Sequence, residues 1–468
     1  MKKQFTANVL SFPPIENFVY WKGFPVVLQL LVLVGLLVVP FIGFGIGLGQ
    51  SPKELLILRK TNLTSLLIWG LWWPSMVIVM ILFGRVWCTI CPLELANRSS
   101  GFIARRIGYR RARIGRWLRH GWAILLIYIV LQVLVAVFSI HRVPHYAAFL
   151  PPGLLLLGLA TGFIFKESRA FCKILCPAGA LLSVYGRYTP IQIDIKSPEV
   201  CKECRTKDCV ANRNRYKFDA ASCPTLIQPF KRKQGDACIN CFQCAKVCPH
   251  ENVGFGITRA VASSRVRRNL RPYEAVFVLA VAGFVTYEIA GEVKWVKDVF
   301  LAVPHYVAAW LPPMNFGWLK AIWMLLVFPL VIWSLAGTGA FVLGYRGRIR
   351  DLAIHMATGA AVVVAVMHLA KGLAKLSSWS LYLPLALKDP FGVDTAKAII
   401  NKSMPQPGSI VSLEFLGWIM IPSLLFAAWK SREWITVSCG DGPGAARVGI
   451  LVPCILYLPI LLAWIGVY

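Results

Sequence analysis

The chain is built from long apolar runs separated by short polar segments that are rich in Lys and Arg. Runs of about 18 or more apolar residues with almost no charge are typical of transmembrane helices, because a helix of that length crosses the hydrocarbon layer. The pattern predicts about nine spans. They lie near residues 24–48, 63–83, 121–140, 148–165, 273–290, 316–337, 352–369, 410–429 and 448–467.

Composition agrees with a membrane protein, since 57% of the 468 residues are hydrophobic and 15% are charged. The 12% aromatic content excludes a disordered chain, and the length excludes a small disulfide scaffold. The basic start at Lys2 and Lys3 is followed by a mixed segment rather than an apolar one, which makes a poor signal peptide. We therefore expect the first helix to be retained.

The 50 Lys and Arg exceed the 21 Asp and Glu, which gives a formal net charge of +29. If the N-terminus is cytoplasmic, 38 of the 50 basic residues fall in segments 1–23, 84–120, 166–272, 345–351 and 430–447. This bias predicts a multi-pass protein of a bacterial-type inner membrane, with its N-terminus inside and its C-terminus outside. We expect the basic loops to contact membrane lipids and predict no nucleic-acid partner, because the arginines follow the membrane and no alternating basic-aromatic surface is apparent.

Eight of the fourteen cysteines lie in the only long polar stretch, residues 186–272. The downstream four have the spacing C-x2-C-x2-C-x3-C-P, which is typical of bacterial [4Fe–4S] ferredoxins. They are Cys238, Cys241, Cys244 and Cys248. A zinc ribbon is the alternative, but zinc needs four ligands, usually as two C-x2-C pairs, so the third closely spaced Cys would be surplus.

The upstream four cysteines keep the first C-x2-C and the final C-P and have longer gaps between them. Two-cluster ferredoxins exchange their fourth ligands, so we predict two [4Fe–4S] clusters with crossed ligand sets. The first cluster would be bound by Cys201, Cys204, Cys209 and Cys248, and the second by Cys238, Cys241, Cys244 and Cys223.

These features predict an all-α polytopic membrane protein with about nine transmembrane helices and an inserted bacterial-type two-cluster ferredoxin domain. The predicted parts are an N-terminal membrane domain (1–185), a ferredoxin domain (186–272) and a C-terminal membrane domain (273–468). In the predicted orientation the ferredoxin domain is cytoplasmic, like the N-terminus.

Two further Cys-Pro motifs follow the second and fourth predicted spans, at their cytoplasmic ends. Their four thiols, which would converge if the two helices pack together, belong to Cys88, Cys91, Cys172 and Cys176. Three interpretations stay open. They are a third cluster, metal or redox-active thiol set; a thiol pair that binds or reduces a soft metal such as copper; and buried structural cysteines.

The motif G-R-x-x-C with a following C-P, repeated after two helices and followed by the two-cluster insert, resembles the membrane polyferredoxins of the NapH/NosR type. The cytochrome-oxidase assembly ferredoxins of the CcoG/RdxA type share this pattern. The resemblance covers roughly residues 60–260. It implies a quinol dehydrogenase or electron-donor subunit. The first motif here is C-x2-C-P where those families usually have C-x3-C-P, and about four C-terminal spans go beyond the shorter NapH-like pattern.

The sequence VPHY, followed by LPP, occurs twice, each time between two spans and on the predicted outer side. The copies begin at Val143 and Val303, which suggests an internal duplication. One interpretation is a structural turn at the membrane interface. The other is a quinol-binding or haem-binding pair, in which His145 and His305 are candidate proton acceptors for quinol.

His355 and His368 lie inside the seventh predicted span, where an ionisable side chain is a candidate functional site. Their separation is about 20 Å along a helix and about 140° around it. They are candidate ligands of a b-type haem, with helix packing and quinone contact as alternatives. Cys439 and Cys454 are interpreted as structural.

The leading prediction is a membrane electron-transfer protein whose two clusters exchange electrons with the quinone pool or with a partner redox subunit, either a cytochrome, a flavoprotein or a ferredoxin. As an enzyme it would be an oxidoreductase subunit of the quinol dehydrogenase type. The alternative is a metal (copper) reductase or maturation factor for a respiratory metalloenzyme, which would use the Cys-Pro thiols. A transporter ranks third.

Overall fold

The computed structural model describes residues 5–187, 189, 191–231, 238–258, 270–311, 315–438 and 443–466. The chain divides into two compact units. The first unit contains Met1–Leu37, Val79–Ile124 and Pro152–Arg268, and the second contains Val38–Ile78, Leu125–Pro151 and Asn269–Tyr468. All twelve cysteines of the predicted cluster and Cys-Pro motifs belong to the first unit.

Helices make up most of the described chain. Up to residue 258 they are α1 (Pro13–Tyr20), α2 (Val26–Gly43), α3 (Pro52–Thr61), α4 (Leu63–Ser65), α5 (Trp73–Phe83), α6 (Trp87–Ile90), α7 (Pro92–Arg106), α8 (Arg116–Arg119), α9 (Trp122–Val137), α10 (Pro144–Ile164), α11 (Ala170–Ile174), α12 (Pro177–Tyr185), α13 (Pro198–Glu203) and α14 (Gln243–Lys246). Several begin with proline, which has no N–H to leave unsatisfied in the first turn.

The remaining helices belong to the second unit. They are α15 (Pro272–Ala290), α16 (Lys294–Phe300), α17 (Ala302–Trp310), α18 (Phe316–Ile322), α19 (Phe328–Val342), α20 (Ile349–Trp379), α21 (Leu383–Lys388), α22 (Val393–Ile400), α23 (Leu413–Ser438) and α24 (Pro443–Trp464). Helix α20 packs against α15, α23 and α24. Its Gly359 lies against the backbone of Ala446, so that α20 and α24 come into close contact.

Eight helical segments in the described residues are long and apolar enough to cross a membrane, and they contain α2, α5, α10, α15, α19, α20, α23 and α24. The span predicted at 121–140 instead forms the 16-residue helix α9, about 24 Å long, which is shorter than the hydrocarbon core of about 30 Å. The Ala112 N–H donates to the Ile164 carbonyl at 2.8 Å. Residues 112 and 164 therefore lie side by side, and α9 and α10 lie between them in the sequence.

The first unit also contains a three-stranded antiparallel sheet, so the all-α prediction was wrong in this respect. Its strands are β1 (Phe5–Asn8), β2 (Ile191–Ile195) and β3 (Val253–Thr258), in the order β1-β3-β2. Ile193 pairs with Phe255 across β2 and β3. The N-terminal residues thus complete a sheet whose other two strands flank the cysteine-rich segment.

The N-terminal segment also covers the hydrophobic core of the cysteine-rich segment. Leu10, Val19 and Phe24 pack in one buried cluster with Phe242 and Phe255. The Lys246 ammonium lies beneath this cover, where it donates to the carbonyls of Trp21 at 2.9 Å and Phe24 at 3.1 Å. The ferredoxin-like segment therefore includes residues that precede the first transmembrane helix.

We expect Gly256→Val to detach this N-terminal cover. A Cβ at Gly256 would collide with the carbonyl oxygen of Ala7 in the neighbouring strand, so β1 would have to separate from β3. Overpacking of this kind costs about 1–3 kcal/mol of unfolding free energy. The measurement is the midpoint of thermal unfolding with limited trypsin cleavage at the N-terminus. Gly153→Ala is the matched control, because its Cβ would meet open space, and equal stability of the two variants would contradict the expectation.

Candidate electron-transfer site

The upstream cysteines line a cavity beside the sheet. Cys201 lies in α13, Cys204 follows the last residue of that helix, and Cys209 lies in a short 3-10 turn. With Cys244 and Cys248 they line a recess of about 460 Å³, a volume that includes space open to solvent. The Asn252 side-chain amide donates to the Cys201 sulfur at 3.3 Å. The five thiols share one recess, in which an amide donor is already directed at one sulfur.

The thiols around this recess act on one another. Burial, followed by the thiols of Cys248, Cys201 and Cys204 in that order, raises the pKa of Cys209 to about 11. A coordinated thiol is deprotonated outright, so binding a cationic iron centre would reverse this shift. Among the thiols, Cys248 has the largest effect on Cys209, although it belongs to the downstream motif in sequence.

The downstream cysteines lie on a loop whose backbone turns sharply. Asn240 and Phe242, on either side of Cys241, both have positive φ angles, 52° and 59°. Burial raises the pKa of Cys244 well above its usual value, and Cys241, Cys238 and Cys223 are its next contributors, in that order. The Cys223 N–H donates to the Cys209 carbonyl at 2.8 Å, which ties the two cysteine groups together. The two cysteine groups therefore lie close together, and the crossed assignment of ligands stays a prediction.

The spacing of these thiols bears on the choice between clusters and zinc. Within the described ranges, no three His, Cys, Asp or Glu side chains lie close enough to hold a single metal ion. A cubane binds each of its four thiolates through a different iron, so its ligands stand farther apart than those of one ion. The choice between two clusters and a zinc ribbon stays a prediction from the cysteine spacing.

The two Cys-Pro motifs have the same local structure. Cys91 directly precedes α7 and Cys176 directly precedes α12, each with extended backbone and with proline at the first helical position. The Cys176 sulfur accepts a hydrogen bond from the Gly179 N–H at 3.2 Å. The Gly179 N–H lowers the pKa of Cys176, but it only partly offsets the larger opposite effect of burial. The difference between C-x2-C-P and C-x3-C-P does not change this arrangement.

All four Cys-Pro thiols belong to one buried group. Cys91 interacts electrostatically with Cys172, Cys88 and Cys176. Burial raises the pKa of Cys176 to about 12, with Cys172 as the next cause. Burial also raises the pKa of Cys172, and Arg169 opposes that rise. The convergence proposed from the sequence is therefore present in the structure as a thiol group without a single-ion geometry.

Buried charged residues surround this thiol group, and none of them had a predicted role. Arg85 is 8% exposed, Arg169 is 5% exposed and Glu94 is 5% exposed. An Nη of Arg169 lies 3.6 Å from the Cys172 sulfur. Gln29 donates to the Glu94 carboxylate at 3.0 Å. The only sequence signal for this shell was the arginine of the G-R-x-x-C motif.

Buried guanidinium groups need a negative partner, because an isolated buried charge is strongly destabilising. Burial alone would lower the pKa of Arg169, but Cys172, Cys88 and Glu94 raise it overall. The Nε atoms of Arg85 and Arg169 are buried without a hydrogen-bond partner among the described residues. The shell is thus arranged to neutralise an anionic thiolate centre.

The first Cys-Pro motif contacts the cluster loop directly. The Thr89 hydroxyl donates to the Ile239 carbonyl at 2.8 Å, and the Asn240 amide donates to the Phe83 carbonyl at 3.0 Å. Ile239 and Asn240 lie between Cys238 and Cys241 in sequence. A short path of bonded atoms therefore connects Cys88 with the downstream cluster cysteines.

The two histidines of the repeat have different surroundings, and both lie in the second unit. The Nδ1 atom of His145 accepts a hydrogen bond from the Gly45 N–H at 2.9 Å. His305 stacks on Phe316 with ring centroids 4.5 Å apart. The first copy begins α10, whereas the second lies inside α17, and its last residues, Pro312 and Pro313, lie outside the described residues. Their role as proton acceptors stays a prediction.

The predicted haem ligands both lie on α20. His368 is buried and its ring contacts Trp73 and Phe284, with centroids 6.3 and 6.4 Å away. His355 is half-buried near Tyr345. Cys454 lies half-buried in α24, and Cys439 lies outside the described residues. His368 thus contacts two aromatic rings and His355 contacts one, and haem ligation stays a prediction.

The chain is similar to proteins that are named for electron transfer. It is 25% identical over 134 residues to the methylamine utilization ferredoxin-type protein MauN of Paracoccus denitrificans, which covers 27% of this chain and 47% of that protein. It is 24% identical over 217 residues to the putative electron transport protein YccM of Escherichia coli, which covers 41% of this chain and 56% of that protein. The chain thus spans about half the length of these two relatives.

An uncharacterized protein of Methanocaldococcus jannaschii is 27% identical over 192 residues, which covers 38% of this chain and 67% of that protein. No family model and no solved structure matches the chain. The named relatives support a general electron-transfer role of the ferredoxin type, in a protein whose apolar helices are consistent with several membrane passes.

Proposed function

We propose that the protein transfers electrons between two [4Fe–4S] clusters and the membrane, where the quinone pool or a partner redox subunit exchanges them. The observation that carries this proposal is the hydrogen bond from Thr89 to the Ile239 carbonyl. It connects a thiol group at the end of a candidate membrane helix with the loop that contains Cys238 and Cys241. The similarity to ferredoxin-type and electron transport proteins supports the same role.

The eight ferredoxin cysteines hold the clusters in this proposal. When bound, a cubane accepts and releases one electron at a time, at a potential that depends on its hydrogen bonds and exposure. Asn252 donates to Cys201, and an amide donor at a ligating sulfur raises the potential by stabilising the reduced, more negative state. The N-terminal cover excludes water from Cys244, which is buried.

The Cys-Pro thiols form the connection to the membrane in the same proposal. A fully thiolate-ligated cubane in its oxidised form carries two negative charges, which Arg85 and Arg169 would balance. Partner subunits of the cytochrome, flavoprotein or ferredoxin class would dock on the basic face beside the clusters. His145 and His305 would accept quinol protons, and the positive bias of the loops supports a bacterial inner membrane with the clusters cytoplasmic and the C-terminus outside.

We expect Cys88→Ala and Cys172→Ala to slow electron exchange about ten- to hundredfold, a range seen when groups that support a metal centre are removed. The measurement is the rate of cluster bleaching after a soluble quinol analogue is added to the anaerobic full-length protein. Iron analysis and EPR of the same samples should give about eight irons, or about twelve if the thiols hold a third cubane. Cys454→Ala is the matched control.

Two results would overturn the proposal. One is an iron-free wild-type protein without cluster signals. The other is unchanged iron content and unchanged bleaching in both Cys-Pro variants, which would make those cysteines structural.

Reduction of copper, as in a maturation factor for a respiratory metalloenzyme, is the second candidate function. The gathering of four soft thiol donors beside the cluster loop favours it. In this reaction one electron from a reduced cluster converts Cu²⁺ into Cu⁺, which the thiolates retain. Stoichiometric Cu⁺ binding against a competing chelator, lost in Cys88→Ala and Cys172→Ala, would support it over the first proposal.

A further inference from the structure

A second group of charged residues lies in the second unit and is centred on Glu288 of α15. The Lys371 ammonium of α20 lies 3.4 Å from the Glu288 carboxylate and 2.6 Å from the Glu292 carboxylate. Other charged side chains act electrostatically on Glu288 from several elements, namely Arg59, His141, Lys320 and Lys375, while Arg142 acts on Arg59 and Lys320. We call these residues the Glu288 group.

The Glu288 group contains more cations than carboxylates. Within the described part of the chain, its five Lys and Arg side chains outnumber its two carboxylates, those of Glu288 and Glu292. Of these five cations, Lys371 makes the ion pairs. Arg59 and Lys375 lie over the Trp379 ring, at 5.2 and 4.8 Å from its centroid. Aromatic faces attract cations but do not neutralise them, so positive charge remains in excess.

The excess cations also repel one another. The pKa of Arg59 falls to about 10, chiefly because of burial and next because of Arg142. Burial likewise lowers the pKa of His141 well below its usual value, with Arg142 as the next cause. A protein that brings Arg59 and Arg142 together at this cost gains from the arrangement only if an anion offsets it.

Several hydrogen-bonding atoms beside these cations are buried without a partner among the described residues. They are the Trp69 Nε1, the Tyr128 hydroxyl, the His141 Nδ1 and the Arg142 Nε. Trp69 and His141 are in ring contact, with centroids 6.4 Å apart, and Tyr128 acts electrostatically on Glu288. A buried donor without a partner is destabilising, so donors gathered beside excess cations indicate a missing acceptor.

The distribution of basic residues along the chain argues that the positive charge of the Glu288 group is not a signal for membrane orientation. In the predicted orientation only 12 of the 50 Lys and Arg lie outside, and these 12 include all five cations of the Glu288 group. The positive-inside bias would deplete this face of cations. Their concentration there needs a local reason.

We propose that the Glu288 group binds a phosphate-type oxyanion, either free phosphate or the headgroup of an anionic phospholipid. Arg142 supplies a planar guanidinium suited to phosphate oxygens, and Trp69 supplies a neutral donor beside it. Basic sites between membrane helices bind phospholipid headgroups by the same chemistry. This inference does not depend on the proposed electron transfer.

The test measures binding to the full-length protein in two arms. Inorganic phosphate is titrated by calorimetry into the protein in a zwitterionic detergent. In parallel, the protein is reconstituted into nanodiscs with and without phosphatidylglycerol, and the lipid that remains after transfer to detergent is quantified by mass spectrometry. The variants are Arg142→Gln, which removes the charge, and Trp69→Phe, which removes only the donor. Arg346→Gln is the control, because Arg346 is exposed in the loop that precedes α20.

We expect phosphate or phosphatidylglycerol to bind the wild type, and Arg142→Gln to weaken that binding about tenfold or more, as expected for a lost charge-assisted hydrogen bond. Trp69→Phe should weaken it less, and Arg346→Gln should leave it unchanged. Binding of phosphate alone identifies a free anion, and retention of phosphatidylglycerol alone identifies a lipid site. Absence of both, or equal loss in Arg346→Gln, would overturn the proposal, and unchanged thermal unfolding establishes that each variant is folded.

Discussion

Replacing Cys248 with Ser should remove the cluster whose other ligands are Cys201, Cys204 and Cys209, and leave the second cluster in place. The expectation follows from the recess that these four thiols share and from the effect of Cys248 on Cys209. Iron should fall from about eight to about four atoms per chain, since each cubane contains four. Quinol-driven electron exchange should fall with it. Iron analysis and EPR of the reduced protein measure both clusters.

Paired substitutions distinguish crossed ligands from ligands supplied by one motif. With crossed ligands, Cys248→Ser combined with Cys201→Ser should cost no more iron than either change alone, because both cysteines serve one cluster. Cys248→Ser combined with Cys238→Ser should remove nearly all iron. If Cys248 instead belongs with its own motif, the two combinations should exchange their results, and crossed ligation would be wrong. Cys454→Ala again serves as the control, since it lies in the other unit.

Lys371→Met should lower the free energy of unfolding of the second unit by about 3 kcal/mol. Lys371 is 18% exposed, and its removal leaves the partly buried Glu288 and Glu292 carboxylates without their ion-pair partner. Breaking a buried ion pair costs about 3–5 kcal/mol, and the partial exposure places this one at the lower end. Unfolding in mixed micelles, followed by tryptophan fluorescence, measures the change. Lys388→Met is the matched control, because Lys388 is exposed at the end of α21.

A double substitution identifies the cause of that loss. If the cost comes from unpaired carboxylate charge, Lys371→Met with Glu288→Gln should be more stable than Lys371→Met alone. If the double variant is the less stable of the two, the lysine stem contributes through packing instead, and the ion-pair explanation fails.

Sequence was sufficient for features that depend on neighbouring residues. A transmembrane helix is recognised by apolar length, so eight spans could be located, although the structure shortened the run at 121–140 to the helix α9. The cysteine spacings are equally local. The β1 strand was missed because Phe5 pairs with Thr258, and such distant pairing leaves no periodic signal in four residues.

The surroundings of the thiol group could not be predicted from the sequence for a related reason. The sequence places three residues in or near basic loops, namely Arg85, Glu94 and Arg169. They are buried beside the cysteines only because α7 packs near α11. The VPHY repeat shows the same dependence on packing. His145 and His305 have the same neighbours in sequence but different neighbours in space, because one copy begins a long helix and the other lies inside a short one.

The N-terminal cover also imposes an order on biosynthesis. At about 5–20 residues per second, strand β3 is made roughly 12–50 s after strand β1. During that interval the first apolar helices can enter the bilayer, while β1 has no strand with which to pair. The N-terminal residues can therefore close over the cysteine-rich segment only after that segment has been made.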